Sequence, residues 1–213
     1  VRAVVHSGVK TNIARAVTNF GTPVSESKSL KEAAQAIEMY YGFEDGRILV
    51  DASVHAEYTN DFEMIKAIAD MAKHYDVRTH VHISETEREH KNCIAKYGKT
   101  PAEVFLEAGL FDKPCTAAHC IWVADSDLDI FAEKGVTVAS NPCSNMKLAS
   151  GMCHVPPMYD KGINVAIGTD SVASNNSLNF FEEMKFFALT GKVTSMDAAT
   201  MTPQQVLRSA TRA

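Results

Sequence analysis

The sequence predicts an α/β fold, three-quarters of a (β/α)₈ barrel. Three observations carry this expectation. Apolar strand-like runs alternate with helical patterns six times along the chain, and no hairpin signal joins one run to the next. Strands that alternate with helices form parallel sheets with right-handed crossovers. The segment after the first run, "HSGVKTN", is too poor in glycine to be the phosphate loop that a doubly wound sheet carries there. A complete (β/α)₈ barrel takes about 250 residues, so six units in 213 residues leave the barrel short.

In order, "RAVVHS" (2–7) reads as a strand leading to the helix "SLKEAAQAIEMYYG" (29–42). "RILVDAS" (47–53) leads to "NDFEMIKAIADMAKHY" (60–75), where Phe62, Ile65, Ile68 and Met71 give one apolar face. "RTHVHISE" (78–85) leads to a charged helix and then to "TPAEVFLEAGLF" (100–111), with Thr100 as N-cap and Pro101 at the first helical position. "CTAAHC" (115–120) precedes "ADSDLDIFAEKG" (124–135), whose final glycine suits a helix end and whose acids suit a helix start. "VTVAS" (136–140) precedes a polar loop and the short helix "VPPMYDKG" (155–162); "INVAIGT" (163–169) precedes "NSLNFFEEMKFFALTG" (176–191). Asn176 is expected to cap that last helix, and Phe180, Phe181, Phe186 and Phe187 to pack in the core.

No repeat, linker or low-complexity stretch divides the chain, so residues 1–213 are expected to form one partial domain. The absent initiator Met, and the end of "TPQQVLRSATRA" inside a helical pattern, suggest part of a longer protein. With 46% hydrophobic and 22% charged residues the chain can build a core. Its net charge of -5 argues against nucleic acid as a partner, and no apolar run is long enough for a membrane span. Five cysteines without CxxC spacing read as reduced thiols of a cytoplasmic protein.

Chemistry collects at the C-terminal ends of the strand runs, which form the active-site mouth of a barrel. His55, His82, Glu85, His119, Asn141, Asn145 and Asp170 all fall there. His80 and His82 share one strand face, because side chains alternate along a strand. His80 reads as a hydrogen-bonded core residue. Imidazole nitrogen and carboxylate oxygen together suit zinc or iron, which marks His82 and Asp170 as metal ligands.

"VHISETERE", "AAHC", "NPCSNMKLASG" and "GTDSVASNNSLNFFEEMK" together resemble the amidohydrolase superfamily. The resemblance is to the branch of methylthioadenosine/S-adenosylhomocysteine deaminases, with atrazine-type chlorohydrolases and guanine deaminase as relatives. It implies a (β/α)₈ TIM-type barrel of which strands three to eight are present, with the N-terminal strands and a flanking β-sandwich missing. It further implies one divalent metal, zinc with iron as the alternative. By motif, His82 matches the fifth-strand ligand and Asp170 the eighth-strand ligand. Glu85 matches the acid of an HxxE motif, His119 the sixth-strand histidine beside the reacting water, and His55 a substrate-contacting histidine. Asn141 and Ser174 join His55 and Glu85 as candidate substrate contacts; loop geometry is the leading reading of Asn141, and helix capping the competing one for Ser174.

The implied chemistry is hydrolytic deamination of an adenosine-type nucleoside or related amino-heterocycle, with a small molecule as sole partner and a homo-oligomer as an open arrangement. Asp170 would accept the proton of the attacking water, His119 would steady the attacking oxygen, and Glu85 would carry a proton to the ring nitrogen. Loss of chloride or an alkylamine, or a metal-free inactive fragment, are the alternatives. Three departures stand out. No HxH pair precedes His82, Ser140 stands where many relatives carry His, and Ser29 stands where the nucleoside deaminases place Arg.

Overall fold

The computed structural model describes residues 1–212. Helix α1 (Arg2–Ser7) precedes strand β1 (Thr11–Val17) and helix α2 (Lys28–Tyr40). Strand β2 (Ile48–Val54), helix α3 (Phe62–Tyr75) and strand β3 (Thr79–Ile83) follow. Helices α4 (Glu87–Tyr97) and α5 (Pro101–Glu107) lead to strand β4 (Cys115–His119) and helix α6 (Asp125–Lys134). Strand β5 (Thr137–Ser140) is followed by helices α7 (Pro142–Lys147) and α8 (Val155–Asp160). Strand β6 (Val165–Ile167) and helices α9 (Val172–Asn175), α10 (Phe180–Ser195) and α11 (Pro203–Thr211) complete the chain. Strand order is chain order, and the pairings β1–β2, β2–β3, β4–β5 and β5–β6 are parallel. The expected α/β class with a parallel six-stranded sheet is therefore present.

Two compact units divide the chain. The first is Val1–Val81 with Phe105–Cys115, and the second is His82–Val104 with the residues from Thr116 on. In the first unit, β2 supplies a buried row, Ile48, Val50, Ala52 and Val54. Ala33 and Ile37 of α2 are buried, as are Met64, Ile65, Ile68, Ala69 and Ala72 of α3. Ser27 and Asp61 cap these helices through the amides of Leu30 and Met64. Asn19 donates to Asp61 at 2.7 Å and accepts from its amide at 3.1 Å, which fixes the exit of β1 to the start of α3.

Residues 2–7 are helical and not the expected strand. The first strand is Thr11–Val17, paired with β2 from Thr11–Ile48 to Val17–Val54. No residue of α1 is buried, and Gly8 closes it in the left-handed conformation at φ 72. "TNIARAV" lacks clean alternation, so backbone hydrogen bonding to β2 decides its structure where side-chain patterning does not.

The second unit buries Val138, Phe131, Met158, Phe187 and Met201, and each of these large side chains contributes about 2–3 kcal/mol. Phe180 and Phe181, expected in the core, are both exposed, Phe181 at 81%. The buried stripe of α10 runs Glu183, Phe187, Thr190, Gly191. Phe181 stands two residues before Glu183, about 200° round the helix, and so points away from that stripe. Asn176 does not cap α10. It ends α9 in the left-handed conformation at φ 68, and Asn179 is the N-cap of α10.

Candidate active site

The functional side chains of the second unit stand where strands β3, β4 and β6 give way to loops. The backbone turns sharply at each: Ser84 has φ 48, His119 φ 71, Cys120 φ 48 and Asp170 φ 57. Left-handed conformations at residues other than glycine cost about 1–3 kcal/mol and cluster at sites that need a side chain re-aimed.

On β3, His80 and His82 lie on the same half-buried face, between the buried Thr79, Val81 and Ile83. Glu85 follows at the entrance to α4. Its amide donates to Glu89 Oε2 at 3.0 Å, and Thr86 with Glu89 forms a capping box. Ser150 Oγ lies 3.4 Å from Glu85 Oε1, and Trp122 Nε1 donates to the Ser150 carbonyl at 2.7 Å.

His119 ends β4 and is 2% exposed. Its Nε2 is 3.7 Å from Glu85 Oε2, and its ring centroid is 5.4 Å from that of His82. Its Nδ1 is 2.9 Å from Asn145 Oδ1 and 3.4 Å from Asn141 Nδ2. Asn141 is buried against the backbone of Gly168, where an added Cβ would fall 2.1 Å from Asn141 Oδ1. Absence of a side chain at Gly168 is what admits Asn141.

Asp170 follows β6. It accepts from Ser144 Oγ at 2.6 Å on one oxygen and from the Ser171 amide at 2.6 Å on the other. Burial alone would raise its pKa. The two hydrogen bonds and the nearby His119 and His82 outweigh that and hold the carboxyl below its ordinary range. Two further ties hold the flanking helices α7 and α9 in place. Lys147 Nζ donates to the Ala173 carbonyl and to Asn176 Oδ1, each at 2.6 Å, and the buried Glu183 accepts from the Cys143 amide and from Asn175 Nδ2. Ser144, Asn145 and Glu183 thus hold the site together, and only Asn145 among them was singled out by sequence.

Glu85, His119, Asn141, Asp170 and, by ring contact, His82 are thus brought together in the second unit. Ser174 is not bonded into that cluster, since its hydroxyl meets Ser171 Oγ at 2.9 Å. His55 belongs to the first unit, after β2, where its Nδ1 is 3.1 Å from Thr59 Oγ1 and its ring stands edge-on to Tyr58. Asn60 anchors that turn by donating to the carbonyls of Val17 and Ala56. The five cysteines are free, and burial pushes the Cys115 and Cys153 thiols up to about 12.

His82 and Asp170 suit a zinc ion in donor kind but not in number. Among the described residues no three His, Cys, Asp or Glu side chains form a metal-holding group. No described helix is long and apolar enough to cross a membrane.

Active-site residues at the C-terminal ends of parallel strands are the arrangement of (β/α)₈ barrel enzymes. The chain belongs to the Amidohydrolase family, whose model matches residues 6–213. It is 40% identical over 99% of its length to a 5-methylthioadenosine/S-adenosylhomocysteine deaminase of Acetivibrio thermocellus, covering 48% of that protein. It is 39% identical over 96% of its length to a 5'-deoxyadenosine deaminase of Methanopyrus kandleri, covering 47%. An adenosine deaminase of Xanthomonas campestris with bound zinc superposes with a TM-score of 0.90 at 29% identity, over 98% of this chain and 48% of that one. The chain spans about half the length of these relatives.

Proposed function

We propose that this chain carries part of the active site of a metal-dependent aminohydrolase acting on an adenosine-type nucleoside or a related amino-heterocycle. The carrying observation is the Asp170 carboxylate, held anionic by Ser144 and Ser171 near His119, which in turn faces Glu85 at 3.7 Å. The deaminase names of the relatives support the substrate class.

Water adds to the ring carbon bearing the amino group, the ring nitrogen gains a proton, and the C–N bond breaks to leave a carbonyl and ammonia. Asp170 would accept one proton of the attacking water and return it to the departing amino group, which leaves as ammonia. Zinc, with iron as the alternative, would be held by His82 and Asp170 together with further ligands, and when bound it acidifies water. Glu85, beside His119 and tethered by the Ser150 hydroxyl, delivers the proton to the ring nitrogen. His119 bonds the attacking group, and Asn141, Glu85 and Ser174 contact the substrate. Residues 1–213 then belong to one hydrolase domain of a cytoplasmic enzyme, with a homo-oligomer compatible.

The test is metal content by elemental analysis of the purified chain and of Asp170→Asn, followed by ammonia release from adenosine-type and guanine-type substrates. About one zinc or iron per chain, lost in the variant, with ammonia released, supports the proposal. Release of chloride or alkylamine in place of ammonia would move it to the other hydrolases, and absence of both metal and turnover would overturn it for this chain.

A further inference from the structure

We infer that Asn145 is a positioning residue that sets the tautomer of His119, so that the neutral imidazole presents a lone pair at Nε2 to the reacting groups. The inference deepens the proposed function, because it names which hydrogen bond His119 is able to make there.

A neutral imidazole carries a single N–H, and an amide oxygen only accepts. With Asn145 Oδ1 at 2.9 Å from Nδ1, the hydrogen sits on Nδ1. Asn141 Nδ2 approaches the same nitrogen at 3.4 Å, half an ångström further, and the shorter contact prevails. Turning the Asn145 amide over would set two NH₂ groups against one lone pair and leave a buried carbonyl oxygen in place of the present arrangement.

Asn145 is well placed to enforce this. It is 1% exposed, its amide donates to the Asn141 carbonyl at 2.9 Å, and its own carbonyl accepts from Ser150 at 2.9 Å. Its Nδ2 is buried and has no partner among the described residues.

The chemical consequence concerns the role of His119. With Nδ1–H committed to Asn145, the neutral ring accepts a hydrogen bond at Nε2 and donates none there. The attacking water therefore gives an O–H to His119, which aims an oxygen lone pair at the ring carbon. The expectation that His119 steadies the attacking oxygen thereby gains a direction, with the ring accepting the hydrogen bond. Nε2 also stands 3.7 Å from Glu85 Oε2, beyond hydrogen-bond distance.

The experiment is a long-range ¹H–¹⁵N correlation on the whole 213-residue chain labelled at histidine nitrogens, with His119→Gln to assign the ring. At neutral pH His119 is expected to show a protonated Nδ1 and a bare Nε2. Asn145→Leu, which removes the acceptor, is expected to move most of the population to the Nε2–H form, while Asn145→Asp keeps the original tautomer. An Nε2–H ring in the unaltered chain overturns the inference, as does an unchanged tautomer in a folded Asn145→Leu chain. Should the leucine variant not fold, the unaltered chain and the aspartate variant decide. In ammonia release, Asn145→Leu is expected to lower kcat by about 10²-fold with KM within about threefold, the scale of lost proton-handling by one side chain. An unaltered chain that shows the tautomer yet releases no ammonia would overturn the proposed function and leave the assignment of Asn145 standing.

Discussion

Ser144 donates its hydroxyl to the Asp170 carboxylate at 2.6 Å, joining α7, the helix after β5, to the end of β6. Hydrogen bonds to charged groups contribute about 1.5–3 kcal/mol, and partial solvent access to Asp170 puts this one at the lower end. Ser144→Ala is therefore expected to lose about 1–2 kcal/mol of stability in guanidinium unfolding. An unchanged midpoint would show that the bond is not maintained in solution.

Thr100 caps α5 and donates to the fully buried Asp127 at 2.5 Å. Burial raises the Asp127 pKa more than its bonds to Thr100 and Ala124 lower it. The fold therefore prefers the acid form. This group's contribution to stability is greatest below its unfolded value near 3.8 and declines as pH rises through the higher folded value. Thr100→Val should push the folded value higher still, so its cost grows from pH 3 to pH 7. Equal cost at both pH values in urea titrations would contradict this.

Gly168 and Asn141 occupy one space. Gly168→Ala would drive its Cβ to 2.1 Å from Asn141 Oδ1 and is expected to cost about 1–3 kcal/mol. In an Asn141→Ala background most of that penalty should vanish, giving a coupling above about 1 kcal/mol. Additive effects in the double-mutant cycle would refute the steric account.

Cys143 is the one cysteine of the five that is only half-buried, and that partial burial together with the adjacent Glu183 carboxylate pushes its thiol up to about 12. At pH 8 about one thiol in 10⁴ is then ionised, so alkylation by iodoacetamide should be far slower than for an ordinary cysteine. Glu183→Gln removes the negative charge and is expected to quicken it severalfold. Rapid alkylation of the unaltered chain would remove the basis for this expectation.

Much of the fold was legible because buried strands advertise themselves. "RILVDAS", "CTAAHC" and "VTVAS" are apolar runs without a competing period, and all three are strands. β1 was not legible, since it begins the strand order and its polar and charged residues carry no two-residue period. His82, Glu85, His119 and Asp170 stood out because ionisable groups interrupt apolar stretches. Ser144 and Glu183 did not, because their importance lies in partners 26 and 40 residues distant, which no local pattern encodes. Phe181 misled because a run of aromatic residues does not reveal which side of a helix faces the core.

The left-handed backbone at Ser84, His119, Cys120 and Asp170 bears on transplantation. A designer who copied only the side chains onto another barrel's strands would give them ordinary extended backbone and send each along a different vector. The portable unit is the strand tip together with its turn, moved as one block. In a randomised library these four positions should reject valine, isoleucine and threonine before any question of chemistry arises, because branched side chains clash with that conformation. Asparagine and glycine would be the substitutions that survive folding.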